Sequence, residues 1–303
     1  MRELETLRSL SDLLSLSESE LQKIVERPSG FYTSFTYNKA DGSPRVITPP
    51  TGELMRIQSV LHGYLKKRIL FKKCVNGGVP HRSIITNARP HVGKQMVAKL
   101  DIKSFFPNTK PDYVKAVFLG LGCTESASEM LCGLTVYRGG LPQGAPTSLF
   151  LGNMVLSGLD NAFLSLTKKH GFAYTRFVDD ITVSSRDKDL RDFKAAFEGI
   201  IVDSGFDPAP GKTIFKDRSK PQIVTGLIVN DVLRPSPWFL RELKRTIVDS
   251  WPENYGVERV AAANEVSVKG LRASICGKIN FVRSVDKMKG NHLRQLLTQV
   301  KWP

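Results

Sequence analysis

Cysteine is scarce in this chain: four residues in 303, Cys74, Cys123, Cys132 and Cys276, with no C-x-x-C spacing among them. That scatter excludes a disulfide framework and the usual zinc-ligand pattern, and it fits a reducing, cytoplasmic setting. Long uncharged apolar runs are missing too, so no membrane span is expected. Neither an internal repeat nor a low-complexity tract is present, which argues against a solenoid. The opening MRELETLRSL carries acids within its first five positions and reads as neither a secretory signal nor a transit peptide. Acidic residues are the minority charge, 29 against 44 Lys and Arg, for a net +15. An excess of that size draws a protein to a polyanion, nucleic acid first among the candidates.

What is present describes a globular mixed α/β chain with room for two or three subdomains: 41% hydrophobic and 24% charged residues. Leucine spacing over 4–25, broken by a Ser17-x-x-Glu20 capping box, predicts two short amphipathic helices. FYTSFTYNKADGSPRVITP reads as a basic hairpin around Asp41-Gly42, and TGELMRIQSVLHGYLKKRIL as a helix with a cationic end. A strand is expected over 95–102, helices over 111–119, 152–166 and 190–202, and strands over 213–215 and 223–229. After Pro235 and Pro237 the chain is mostly helical and basic.

The stretch YTRFVDDITVSS, 174–185, interrupts a strand-like run with two adjacent aspartates. Its pattern predicts a hairpin with Asp179 and Asp180 at the tip, although a second aspartate poorly satisfies the positive φ that two-residue loops require. Two readings stand for the pair: a polar surface turn, or metal ligands at a strand end. The second needs another acid, and Asp101 supplies one in VAKLDIKSFFPNT, ending an apolar strand ahead of Phe105 and Phe106. Should that strand lie beside the hairpin, Asp101, Asp179 and Asp180 converge and suit two Mg²⁺ ions flanking a phosphoryl displacement. Between them lies GGLPQGAPTS, 139–148, by itself an ordinary turn before a helix.

In combination, the strand aspartate with trailing aromatics, then LPQG, then the Asp-Asp hairpin resembles motifs A, B and C of reverse transcriptases. Upstream, Asn87-Ala88 and His91 form N-A-x-x-H, and downstream Val224-Thr225-Gly226 forms V-T-G; both resemble hallmarks of bacterial retron reverse transcriptases. The likeness spans nearly the whole chain and is weakest over the first thirty residues.

That resemblance implies an α+β right-hand polymerase fold, with an N-terminal helical segment over 1–30, fingers over 31–95, palm over 96–235 and a helical thumb over 236–303. It implies a catalytic metal-binding triad of Asp101, Asp179 and Asp180, with the Ile102 carbonyl as a further ligand. By the same resemblance Phe106 crowds the sugar 2′ position, and Gln143 and Gly144 lie against the incoming nucleotide. Lys39 and Arg45 hold the triphosphate, and Lys212 stands near the leaving pyrophosphate as a general acid, with a solvated lysine as its alternative. Asn87, His91, Val224, Thr225 and Gly226 are associated with the cognate RNA, although a lone buried histidine is more often a core residue. Seven cations of the C-terminal helices, Arg241, Lys244, Arg245, Arg272, Lys278, Arg283 and Lys287, resemble a duplex-tracking thumb. Two departures stand out: Phe177 where the family has tyrosine, and His81 where it has glycine.

The implied activity is copying of a cognate structured non-coding RNA into short single-stranded DNA from dNTPs with two Mg²⁺ ions. Priming is from an RNA 2′-hydroxyl, which leaves a branched RNA-DNA product. An effector protein, an anti-phage role and removal of template RNA by another protein are implied as well. Alternatives are a reverse transcriptase of the group II intron or diversity-generating type, and a non-catalytic RNA-binding scaffold.

Overall fold

The computed structural model describes residues 2–38, 42 and 44–303. Contacts divide the chain into two compact units, Met1–Ser83 with Met96–Phe215, and Ile84–Gln95 with Lys216–Pro303.

The first unit has two cores. One is helical: Leu4, Leu10, Leu14 and Leu21 from the N-terminal segments meet Leu54, Ile57, Leu61 and Leu65 of helix Gly52–Arg68, together with Phe118, Leu131 and Phe150. The N-terminal leucines fall in three helical segments, Arg2–Glu5, Leu7–Leu14 and Glu18–Glu26, rather than two. The expected capping box starts the third: Ser17 N–H donates to Glu20 Oε2 at 2.8 Å, and Glu20 N–H donates to Ser17 Oγ at 3.3 Å. Helix Glu125–Thr135, which packs on this core, had no expectation attached to it.

The second core lies under a four-stranded sheet. Strands β1 (Phe35–Asn38) and β2 (Pro44–Ile47) form a separate antiparallel ribbon. The sheet itself is built from β3 (Met96–Asp101), β4 (Ala173–Phe177), β5 (Asp180–Ser185) and β6 (Ile214–Asp217), in the order β4-β5-β3-β6. Successive strand residues face opposite sides. Met96, Ala98, Leu100 and Ile102 therefore point one way, with Tyr174, Ile181 and Val183, onto Leu159, Phe163, Phe197 and Ile201. Asp101 and Asp180 are direct partners in the β3–β5 register, so they share the other face.

The helix expected over 152–166 is two helices, Ser148–Val155 and Ser157–His170, bent by 48° at Leu156. Their apolar residues Phe150, Leu151, Leu159 and Phe163 fill the cores, and among the described residues no single helix is long and apolar enough to cross a membrane.

In the second unit, the strand expected over 223–229 is a hairpin: β7 (Ile223–Val224) and β8 (Leu227–Ile228) pair, with β9 (Arg234–Pro235) alongside. Four helices follow, Pro237–Asp249, Gly256–Ala263, Val268–Val285 and Lys287–Leu297, around Leu243, Ile247, Leu271, Ile275, Ile279 and Leu293. All seven of the cations expected on a thumb are exposed. One of them, Arg245, pairs with Glu242 at 2.7 Å.

Candidate active site

The aspartates meet because β5 lies between β3 and β4. Asp101 closes β3 opposite Asp180, the first residue of β5, and Asp180 is in turn opposite Phe177, the last residue of β4. This register corrects the expected hairpin tip. The two-residue turn is Val178-Asp179, not Asp179-Asp180, and Asp180 belongs to the ladder. Positive φ falls on Val178 alone, at +61°, the pattern of a type II′ turn, whose first central position favours glycine. A β-branched residue there stores about 1–3 kcal/mol of backbone strain. His81, the second departure from the family pattern, also takes φ +61°, so it adopts the left-handed geometry that a glycine would supply without strain.

Asp101, Asp179 and Asp180 open onto a cleft of about 650 Å³ that is also lined by Ile102, Phe106, Arg45, Gln143 and Lys212. Carboxylates this close resist shared ionisation. Burial and then the charge of Asp101 push Asp179 up to about 6. Burial also raises Asp180, with Lys99 and Lys212 opposing. Lys99 stands two residues before Asp101 on the same face of β3, a period-two signal that sequence reasoning passed over.

Lys212 forms an ion pair with Asp101 through Nζ, and this bond is the main cause of its raised pKa. The pairing sets the ammonium group at the carboxylates while the side chain stays 64% exposed. Its position follows from the chain running antiparallel to the end of β3: Ala209 N–H donates to the Asp101 carbonyl at 2.8 Å and Lys103 N–H to the Asp207 carbonyl at 2.9 Å. Gly211, at φ +70°, then turns the backbone toward the cleft.

Opposite the carboxylates, Ser104 at φ +46° redirects the chain. Phe105 enters the core while Phe106, half-buried, lines the cleft. The LPQG loop packs on this corner. Leu141 N–H donates to the Phe106 carbonyl at 2.9 Å, and a Cβ on Gly140 would stand 2.3 Å from the Pro107 carbonyl oxygen. Gln143 ties the loop to β2: Arg45 Nε donates to its Oε1 at 2.7 Å, and Thr48 N–H donates to its carbonyl at 2.7 Å. Gly144 does not line the cleft. It takes φ +97°, and a Cβ there would fall 2.8 Å from Ile47 Cγ2, so its place is against the basic ribbon. Arg138, at φ +52°, does line the cleft and was not singled out from sequence; its signal is a cation abutting the Gly139-Gly140 turn. Lys39 lies outside the described residues.

Three carboxylates with no soft ligand among them suit a hard cation such as Mg²⁺. Burial first, and the charge of Asp101 after it, hold the carboxyls of Asp179 and Asp180 up, and a bound cation relieves both, so the residues fit the group. Among the described residues no His, Cys, Asp or Glu side chains stand close enough together to form a metal-holding group of three, and Lys212 is the cation that Asp101 meets.

The second motif set lies elsewhere in the chain's organisation. Asn87, His91 and Val224 are fully buried in the second unit. Burial lowers His91 to about 3, so the imidazole is neutral. Thr225 and Gly226 are the turn between β7 and β8, with φ +44° and +83°, both positive as in a type I′ turn. The Thr225 hydroxyl donates to the Ile84 carbonyl at 3.1 Å, which ties the turn to helix Ile84–Ala88 that carries Asn87.

Residues 37–228 match the family model described as reverse transcriptase (RNA-dependent DNA polymerase). The retron Mx162 reverse transcriptase of Myxococcus xanthus is 29% identical over 99% of this chain and 68% of its own length. The retron Ec86 reverse transcriptase of Escherichia coli is 29% identical over 75% of this chain and 72% of its own. With the retron Mx65 reverse transcriptase of Myxococcus xanthus identity is 32% over 67% of this chain, and the match spans about half, 52%, of that relative. Among solved structures, telomerase from Candida albicans in complex with a telomeric RNA fragment matches with a TM-score of 0.50 at 13% identity, over 88% of this chain and 63% of that one. At that identity the likeness concerns the fold alone.

Proposed function

Because this chain belongs to the reverse transcriptase (RNA-dependent DNA polymerase) family, and is similar over most of its length to retron enzymes, we propose that it copies a cognate structured RNA into short single-stranded DNA, primed from a 2′-hydroxyl of that RNA. The observation that carries this reading is the register that pairs Asp101 with Asp180 and sets Asp179 at the adjoining turn, all three opening on one cleft.

Asp101, Asp179, Asp180 and the Ile102 carbonyl are the groups that would hold two Mg²⁺ ions. Bound there, these supply charge stabilisation to the attacking and leaving oxygens of a phosphoryl displacement. Arg45, braced by Gln143, holds the triphosphate, and Lys39 is assigned that role too. Phe106 excludes the ribose 2′-hydroxyl by bulk. Lys212 holds a proton at Nζ beside the leaving pyrophosphate, and Gly144 keeps the loop close to the ribbon. Asn87, His91 and Val224, being buried, serve the RNA through the shape they give their segment, while Thr225 and Gly226 form its turn. The exposed cations of the C-terminal helices follow duplex phosphates. In the host the complex serves anti-phage defence with an effector protein.

The test is the nucleic acid that copurifies with the protein expressed from its own locus, beside an Asp179→Asn control. A discrete short DNA joined to RNA, absent from the control, is the expected result. DNA without a branch points to another class of bacterial reverse transcriptase, and RNA alone in both samples to a non-catalytic scaffold. Phe106→Ala separately tests the sugar assignment: it is expected to raise ribonucleotide incorporation relative to deoxynucleotide by about 10- to 100-fold in primer extension. An unchanged ratio would return Phe106 to a packing role.

A further inference from the structure

Under the face of the sheet that carries the carboxylates lies a buried ion pair that the chemistry above does not use. Arg176 of β4 is 0% exposed, and Asp160, on helix Ser157–His170, is 2% exposed. The pair is bidentate: Nε donates to Asp160 Oδ1 at 2.8 Å and Nη2 to Oδ2 at 2.7 Å, while the Tyr174 hydroxyl donates to the same Oδ1 at 2.7 Å. The remaining guanidinium nitrogen reaches toward the active-site turn. Nη1 donates to Asn153 Oδ1 at 2.8 Å and to the Val178 carbonyl at 2.7 Å. Asn153 Nδ2 then donates to the Gly77 carbonyl at 2.8 Å. Gly77 packs so closely that a Cβ would fall 2.6 Å from the Val178 amide nitrogen.

Stability alone does not account for this arrangement. Burying two charges removes their hydration, and apolar residues of the same volume usually hold a core equally well. The pair's distinguishing feature is where it ends, on the carbonyl of the one residue in this turn held at φ +61°. Only a planar fork can bind Asp160 with two nitrogens and still donate from the third; a lysine cannot. We infer that Arg176 is a positioning residue, clamping the Val178 carbonyl to hold the strained turn and so present Asp179 to the cleft. The inference rests on the metal-ligand reading of Asp179.

The test uses the full chain and three variants: Arg176→Lys, Arg176→Lys combined with Val178→Gly, and the apolar set Tyr174→Phe, Asp160→Leu and Arg176→Met. Steady-state primer extension gives kcat, the KM for dNTP and the Mg²⁺ concentration at half-maximal rate. Circular dichroism reports folding, and melting with and without Mg²⁺ reports the shift the ion induces.

Arg176→Lys is expected to lose about 10- to 100-fold in kcat, to need more Mg²⁺ and to show a smaller Mg²⁺-induced melting shift, with the KM for dNTP unchanged. Val178→Gly in that background should recover part of the loss, because glycine takes positive φ without a clamp. The apolar set should fold and still be impaired. A merely structural role would lower melting without moving the kcat-against-KM split or the Mg²⁺ requirement.

A folded apolar set with native kcat and Mg²⁺ requirement overturns the proposal, and so does a loss that Val178→Gly does not relieve. Failure of every Arg176 variant to fold would assign the network to stability and overturn it as well. Absence of DNA synthesis by the unaltered protein refutes the polymerase reading instead, and the Mg²⁺-induced melting shifts then decide the clamp by themselves.

Discussion

The hairpin β4–β5 turns through Val178-Asp179 and the hairpin β7–β8 through Thr225-Gly226, and each sets a β-branched residue in the left-handed region, at φ +61° and +44°. Their surroundings differ in kind. Around the first, carboxylates of like charge open on a polar cleft and the turn hangs from a buried arginine. Around the second, Val224, Asn87 and His91 are buried, His91 is neutral, and the turn is tied by one neutral hydroxyl bond to Ile84. The same strained backbone therefore serves two ends. In the first it brings charges together at a cost that a bound cation can offset; in the second it shapes a core segment with no charge to place.

The sharpest way to break this comparison is Asp179→Asn. That variant should abolish DNA synthesis and, without Mg²⁺, melt at a higher temperature than the unaltered protein, because one of the repelling charges is gone. Retained synthesis would remove Asp179 from the metal site.

The next test is pH, for which the two regions carry opposite signs. Asp179 is raised on folding, so its contribution to stability is present below the ordinary carboxylate range and lost as pH rises through about 6. Stabilisation by Mg²⁺ should therefore be greater at pH 7.5 than at pH 5.5, read as the melting shift on adding the ion. His91 is depressed on folding, so its contribution is present above the ordinary imidazole range and fades as pH falls from about 6.5 toward 3. Its imidazole NMR signals should stay those of the neutral form at pH 5.5; a titration near 6.5 would mean that His91 is open to solvent.

The smallest expected effect is that of Thr225→Val. The backbone strain stays and the hydroxyl bond goes, costing about 1 kcal/mol, or about 2 °C in melting temperature for a chain of 303 residues. No change would show that Gly226 and packing alone hold the turn.

Much of this was legible in the residues. Alternating apolar positions mark β3 as a strand ending at Asp101, and helical spacing with a cationic last turn marks Gly52–Arg68. Ser17 and Glu20 announce a helix start by a bond they make with each other. The three aspartates could be singled out because their type and order are local facts of the chain, whereas Phe106, Gln143 and Lys212 stood out only through the resemblance that the motifs carry. Lys99 and Arg138 escaped notice because a lone cation beside a strand or glycine turn has the same pattern as one in solvent.

Tertiary structure alone decided the rest, because each remaining feature depends on partners distant in sequence. The hairpin register moved one residue to Val178-Asp179 because Asp180 finds Asp101 across β3 and Phe177 across β4, and a strand cannot slip by one residue without turning its core face outward. Arg176, which in sequence is one more cation of a basic chain, became a buried ion-pair partner because Asp160 and Asn153 arrive from the bent helices behind the sheet. Composition and local spacing announce which groups a protein owns, but charge, burial and strain belong to what surrounds a group, and for both turns those surroundings come from distant parts of the chain.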